Sequence, residues 1–408
     1  MCEKKNIAII TSGYFPVPPV KGGAIESLVQ EIVEENDADK LNLSIISVYD
    51  KVAEEYSKRY KNVMFEYIKI PKCILLLDKL LYKILKIIFK NKKHMSFRYI
   101  FQRIYYIKIT AKLLKNNSYD DIVFENHPTL LGSLRYYGNY KKYYGHYYYH
   151  AHNEIKRCFL EKKYLINVSK YICVSNYIKK TIEYKLPEVE ENRFYILRNR
   201  INEKRFRSTS EDDIKGFRKK YGILCDKKII TFTGRLNPEK GVKELLLAYS
   251  EDELFDCQLV IAGSYYFGSG MKSKYEEDLT NIAKNIAGDI VFTGNIDYSD
   301  MPLLYACSDI IVLPSIWNDP APLTVIESLT CGKPLITTNV GGIPEYANEK
   351  NSIVLDVNDK LIENLAIALK NTINDDILLG KLSKNAMENS HEWTQKNYYL
   401  DFEKIFMA

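Results

Sequence analysis

Ile229-Ile230-Thr231-Phe232-Thr233-Gly234-Arg235-Leu236-Asn237-Pro238-Glu239-Lys240-Gly241 is the stretch that decides the fold. Its first five residues are β-branched or aromatic and read as a buried strand, which Gly234 ends. A helix-like segment opens near Gly241. A strand that leaves through a glycine turn into a helix is part of a βαβ unit, and such units build parallel sheets. The glycines permit close backbone approach, the helix N-terminus favours an anion, and Arg235 and Lys240 add two cations. The turn therefore suits a phosphate.

Outward from this stretch, apolar runs alternate with helix-length amphipathic segments. Ile7–Thr11, Leu43–Val48, Ile122–Glu125, Tyr147–His150 and Tyr171–Val174 read as strands in the first half of the chain. Ile229–Thr233, Gln258–Ala262, Ile290–Phe292, Ile310–Leu313 and Pro334–Thr337 do so in the second. The pattern predicts an α/β protein of two doubly wound, Rossmann-like parallel-sheet domains. The polar stretch Asn199–Ser210 marks the boundary, giving domains 1–205 and 206–390 and a final helical segment, 391–408, that packs back on the first. Ligands of open α/β sheets bind outside the carboxyl ends of the strands, so a cleft between the domains is the expected site.

The chain has 408 residues, 46% hydrophobic and 27% charged, as in soluble globular proteins. No run of about 18 uncharged apolar residues suggests a membrane span, and the N-terminus lacks the pattern of a secretory signal. A cytoplasmic location is expected. The eight cysteines show no Cys-x-x-Cys spacing and read as free thiols. The net charge of +6 hides an asymmetry. Residues 1–205 hold 37 Lys/Arg against 22 Asp/Glu, a balance of +15, and the remainder carries −9.

Much of the excess lies in residues 69–116, with 13 basic residues and one acid, Asp78. Lys79, Lys83, Lys86 and Lys90 follow helical spacing, with Leu77, Leu80, Leu81, Ile84, Leu85, Ile87, Ile88 and Phe89 around them. From Arg98 to Lys115 the chemistry repeats, with Tyr99, Phe101, Tyr105 and Tyr106. Such an insertion, about 72–116, is either a helix packed on its own domain with a solvated lysine face or a contact for an anionic membrane surface. No nucleic-acid-binding motif accompanies the charge, and nucleic acid is not expected as a partner. Tyr136–His150 is rich in tyrosine, which reads as packing or as a stacking platform.

The second chemistry-bearing stretch is Trp317-Asn318-Asp319-Pro320-Ala321-Pro322-Leu323-Thr324-Val325-Ile326-Glu327. Strand Ile310–Leu313 precedes it, and Thr324–Thr330 reads as a helix. Glu327, one turn into that helix, can accept two hydroxyl donors, as from a ribose. Asp319, on the loop, can reach another part of the same ligand. Either acid alone would pass as an ordinary surface residue. Their spacing, followed by Cys331–Pro334 and Gly341–Glu345, makes them a pair. Asp37-Ala38-Asp39 reads as a solvated turn, so no metal site is expected.

Five stretches of the second domain together resemble the retaining, family-4 glycosyltransferases of the GT-B fold. Gly234-Arg235 with Lys240-Gly241 looks like that family's diphosphate-binding turn, and Leu259–Gly263 like its next strand. Phe292–Gly294 looks like the strand and turn beside the base. Asp319 to Glu327 looks like its Glu-x7-Glu motif, and Lys333 to Glu345 like its closing strand and loop. The first carboxylate is usually Glu and here is Asp. Asn199-Arg200-Ile201-Asn202 stands where the family often has Asn-Gly-x-Asp.

The resemblance implies roles. Arg235 and Lys240 would bind the donor diphosphate and stabilise it as it leaves, without a metal or other cofactor. Glu327 would hold the ribose, and Asp319 would face the donor sugar beside the amides of Ala321, Leu323 and Thr324. Gly263 and Gly294 would line the donor site. Gly22 and Gly23 resemble the family's N-terminal glycine loop and would approach the donor phosphate or the acceptor. His152 matches the family's cleft histidine, and His127, His150 and Asn153 would border the acceptor. The implied reaction is retaining transfer of a sugar, expected from a UDP-hexose, to a lipid-linked or other glycan acceptor. A capsule, exopolysaccharide or cell-surface glycan role would fit, with the enzyme peripheral on the inner face of the plasma membrane. Two other classes stay open: a non-catalytic glycosyltransferase-like binding subunit, and a nucleotide-sugar epimerase on the same architecture.

Overall fold

The computed structural model describes residues 4–88, 99–156, 161–207, 209–251, 254, 256–264 and 273–407. The chain separates into two units. Unit 1 runs up to Val174 and adds Ile178–Leu197 and the residues from Tyr399; unit 2 comprises Ser175–Tyr177 and Arg198–Tyr398.

Unit 1 is built on seven parallel strands, β1 (Lys5–Ile10), β2 (Leu41–Val48), β3 (Val63–Ile68), β4 (Asp121–Glu125), β5 (Tyr147–Ala151), β6 (Tyr171–Cys173) and β7 (Phe194–Ile196). Their order is β3-β2-β1-β4-β5-β6-β7. The chain winds outward from β1 to β3, then restarts at β4 on the other side of β1. Unit 2 repeats the plan with β8 (Lys228–Thr233), β9 (Cys257–Ala262), β10 (Asp289–Gly294), β11 (Ile310–Leu313), β12 (Leu335–Thr338) and β13 (Ser352–Leu355), ordered β10-β9-β8-β11-β12-β13. Each sheet thus has one point where the winding reverses, between β1 and β4 and between β8 and β11. Crevices at such points are where open α/β sheets take ligands.

Ile7, Ala8, Ile9 and Ile10 on β1, and Ile229 and Ile230 on β8, are fully buried, because helices cover both faces of a parallel sheet. Three strands escape the sequence reading: β3, β7 and β13. Each is an edge strand. An edge strand has a neighbour on one side only, and Phe65, Tyr195 and Val354 are only partly covered; β7 and β13 are also only three and four residues long, and Glu66 interrupts β3.

In the final helix, Gln395–Met407, the residues from Tyr399 belong to unit 1. There Lys40 pairs with Glu403 at 2.9 Å, and the Phe406 ring meets Tyr148 edge-on at 4.9 Å.

The basic insertion forms two helices, Lys72–Ile88 and Ile100–Asn116. Lys90, Phe89 and Arg98 lie outside the described residues. Asp78, the one acid of the stretch, is buried in this hairpin and accepts the N–H groups of Phe101 and Gln102 at 2.9 and 3.0 Å. It caps the second helix. Leu76, Leu80, Ile87 and Ile88 stay exposed beside Lys79, Lys83 and Lys86. Ile74, Leu81 and Leu85 are partly covered, so only part of the apolar surface of the first helix is spent on packing among the described residues. In the tyrosine-rich segment, Tyr143 and Tyr147 are buried and donate to the carbonyls of Leu114 and Tyr164, at 2.9 and 2.8 Å, so these two rings serve packing.

Candidate active site

In unit 2 the site residues gather around the carboxyl ends of β8 and β11. The turn from β8 packs directly on the end of β11. Gly241 adopts φ +70°, and a Cβ there would run into the carbonyl oxygen of Pro314. Ile316 donates its N–H to the Glu239 carbonyl at 3.0 Å. This backbone seam sets Lys240 against Asp319, and the ammonium is ion-paired with that carboxylate. Arg235 is exposed, and among the described residues its side chain carries no hydrogen bond or ion pair. One cation is thus held and one is free. Gly234 donates to the Ala262 carbonyl at 3.0 Å, and Gly263 to that of Gly294 at 2.9 Å, which lines these glycines across three strand ends.

The loop that carries Asp319 is braced from two sides. Gly342 donates its N–H to the Asp319 carbonyl at 2.8 Å, from the segment after β12. The Asn199 amide donates to the Ala321 carbonyl at 2.9 Å, so this position helps shape the loop. Helix Leu323–Thr330 follows with no side-chain cap, which leaves the N–H groups of Leu323 and Thr324 open to an anion.

Glu327 lies deeper than the sequence suggests. It is 3% exposed, and Tyr305 donates its hydroxyl to Oε2 at 2.7 Å. One of its acceptor positions is thus taken within the chain. Burial pushes the carboxyl up to about 7, against the pull of the Tyr305 and Tyr298 hydroxyls and the Arg205 charge. Nothing in the local sequence signals Tyr305, which comes from the helix Met301–Cys307.

Unit 1 carries its own cluster, at the ends of β1, β4 and β5. Glu125 ends β4 and is fully buried. His150 Nδ1 and His152 Nε2, from and just beyond β5, approach it at 3.1 and 2.8 Å. Burial alone would raise the Glu125 carboxyl, but the two imidazoles overcome it and bring it down to about 2. Burial and the His150 charge hold His152 down at about 4. Among the described residues, Glu125, His150 and His152 form the one group with three metal-ligating atoms within 4.8 Å of one another. The spacings are those of imidazole N–H groups donating to a carboxylate, which accounts for the arrangement.

Asn126, next in the chain, has φ +60°, a conformation asparagine tolerates. Its carbonyl accepts the Tyr149 hydroxyl, and its side chain accepts from the Asn153 amide at 3.2 Å. This tight turn sets His127 beside Tyr14, ring centres 5.3 Å apart. Burial lowers His127 to about 4, helped by the charges of Arg103 and His152.

Gly22 and Gly23 lie before helix Ala24–Glu34, where Gly23 is the N-cap residue at φ +116°. A Cβ on Gly23 would collide with Oε2 of Glu26. Sequence reading passed over Glu26. It is buried, accepts the Ser12 hydroxyl at 2.8 Å, and is pushed by burial up to about 7. Glu125 and Arg103 were passed over as well. Glu125 could have been found as the acid that closes an otherwise apolar strand.

Two doubly wound sheets, each with its polar residues at the reversal of the winding, are the architecture of the GT-B class. Residues 213–391, most of unit 2, match the family Glycosyl transferases group 1. A putative glycosyltransferase, YtcC, of Bacillus subtilis (strain 168) is 29% identical over 93% of this chain and 86% of its own length. The lipopolysaccharide 1,2-N-acetylglucosaminetransferase of Salmonella typhimurium is 25% identical over 44% of this chain and 46% of its own. Among solved structures, Anabaena Alr3699/HepE in complex with UDP-glucose has the same fold, with TM-score 0.72 at 16% identity, covering 99% of this chain and 100% of that one.

Proposed function

We propose that the protein transfers a sugar, with retention of configuration, from a nucleotide-sugar to a lipid-linked glycan acceptor in the assembly of a surface polysaccharide. The observation that carries this reading is the unit 2 turn. An exposed Arg235 that is free among the described residues, a Lys240 ion-paired with Asp319, and an uncapped helix start at Leu323 meet where the winding reverses.

A sugar leaving a nucleotide builds positive charge at the anomeric carbon and negative charge on the diphosphate. Fixed cations and N–H dipoles aimed at that diphosphate lower the barrier, and removing one such group costs about 10²–10³ in kcat in other enzymes. Arg235 and Lys240 are assigned to the diphosphate, Glu327 to the ribose hydroxyls and Asp319 to the donor sugar. With retention, the acceptor hydroxyl attacks from the side of the leaving group, and the diphosphate oxygen takes its proton. The donor is assigned to a UDP-sugar, and the reading calls for no metal. His127, His152 and Asn153 of unit 1 are assigned to the acceptor.

The exposed apolar and lysine side chains of Lys72–Ile88 support docking on an anionic membrane surface. No described helix is long and apolar enough to cross a membrane.

Nucleotide release from a panel of UDP-, GDP- and dTDP-sugars, with and without a lipid-linked acceptor extract, tests the reading. Release from one donor, increased by the extract and lost in Arg235→Ala, supports it. Nucleotide binding without release from any donor would replace it with a binding subunit.

A further inference from the structure

Arg103 links the hairpin of unit 1 to the candidate acceptor site. Its Nη1 donates to the Ser12 carbonyl at 2.6 Å, just past the end of β1. Its guanidinium lies over the Tyr14 ring, 4.3 Å from the centre, and Tyr14 in turn meets His127. Its Nη2 is buried and has no hydrogen-bond partner among the described residues, and no carboxylate there pairs with the guanidinium. A buried N–H left without an acceptor is destabilising, the more so on a charged group. An arginine kept in that state is complementary to an oxyanion that the ligand-free chain does not supply.

One helical turn before Arg103, Tyr99 lies 6.0 Å from Tyr14 and opens a groove of about 750 Å³ between the two helices. Leu76, Leu80 and Tyr82 line it with Tyr99, together with Lys79 and Lys83. Groove, unpaired cation and histidine thus follow one another along unit 1: apolar, then cationic, then hydrogen-bonding.

We propose that this path binds the phosphate-bearing end of a lipid-linked acceptor, with its apolar chain in the Leu76–Leu80 groove, its phosphate on Arg103 and its sugar toward His127. The order of chemistry commits the groove to a hydrocarbon chain that ends in a phosphate. A plain hydrocarbon would leave Arg103 unpaired, and a soluble phosphate would leave the groove empty. The proposal rests on the reading of a lipid-linked acceptor and adds how the chain recognises it.

The test uses the full chain and phosphatidylcholine vesicles doped with a long-chain isoprenyl monophosphate. Parallel arms use the matching isoprenyl alcohol, phosphatidylglycerol and soluble inorganic phosphate. Saturable binding to the isoprenyl phosphate, at least ten-fold tighter than to the alcohol or phosphatidylglycerol, is expected. Arg103→Ala should weaken it more than ten-fold and Arg103→Lys less. Leu80→Asp, at an exposed position, should weaken the lipid arm and leave any weak inorganic-phosphate binding in place. Equal binding to phosphatidylglycerol, unaffected by Arg103→Ala, would show surface attraction alone and overturn the proposal. Equal binding to the alcohol, or none to the isoprenyl phosphate, would overturn it too. Nucleotide release by the unsubstituted chain is measured separately, so a failed transferase reading and a failed acceptor site are told apart.

Discussion

The Lys240 ammonium and the Asp319 carboxylate form an ion pair across the ends of β8 and β11, eighty residues of chain folded onto one contact. Asp319 occupies the cation assigned to the donor diphosphate. Donor binding must draw Lys240 away or share it. Asp319→Asn should therefore bind free UDP several-fold more tightly while transferring sugar more slowly, and Lys240→Ala should bind UDP at least ten-fold more weakly. Calorimetric titration with UDP reads both. Weaker UDP binding by Asp319→Asn would show that the pair orders Lys240 for the ligand instead of competing with it.

Glu327 gives unit 2 a pH dependence of definite sign. An acid whose native pKa is raised is stabilising in its protonated form. That contribution is complete below the unfolded value near 4.5 and is lost as pH rises through about 7. Glu327→Gln keeps an acceptor for Tyr305 but cannot ionise. Relative to the parent it should gain about 2 kcal/mol between pH 5 and pH 8. Denaturant unfolding at the two pH values measures it, and a difference that does not change with pH would contradict the assignment.

Glu125 works in the opposite direction. Its depressed carboxyl stabilises unit 1 above about 4.5, and that stability is lost as pH falls through about 2. His152, a base held down at about 4, adds a loss as pH falls below its ordinary value of 6.5. Glu125→Gln puts an N–H donor where two imidazole N–H groups need acceptors. It should cost about 1–3 kcal/mol at pH 7 and flatten the acid limb of the unfolding curve. Thermal unfolding from pH 7 down to pH 3 would show it.

Asp78 ties the hairpin together by capping helix Ile100–Asn116. Asp78→Ala should cost about 1 kcal/mol and speed amide exchange in the first turn of that helix. Unchanged exchange there would mean that the hairpin is held by other contacts.

The alternation of apolar runs and helical segments by itself determined the two parallel sheets, because strands buried on both faces must be continuously apolar. It also marked Arg235, Lys240, Asp319 and Glu327, since a glycine turn or a paired acid next to such a strand is a local feature. The edge strands β3, β7 and β13 left a weaker trace, being short or, in β3, interrupted by Glu66. Only the tertiary structure decided which groups meet. Lys240 lies on Asp319, Tyr305 on Glu327, His150 and His152 on Glu125, and Arg103 beside Tyr14 and the end of β1. These partners lie between about 20 and 90 positions apart, and a parallel sheet brings them together because successive strands all end on the same side.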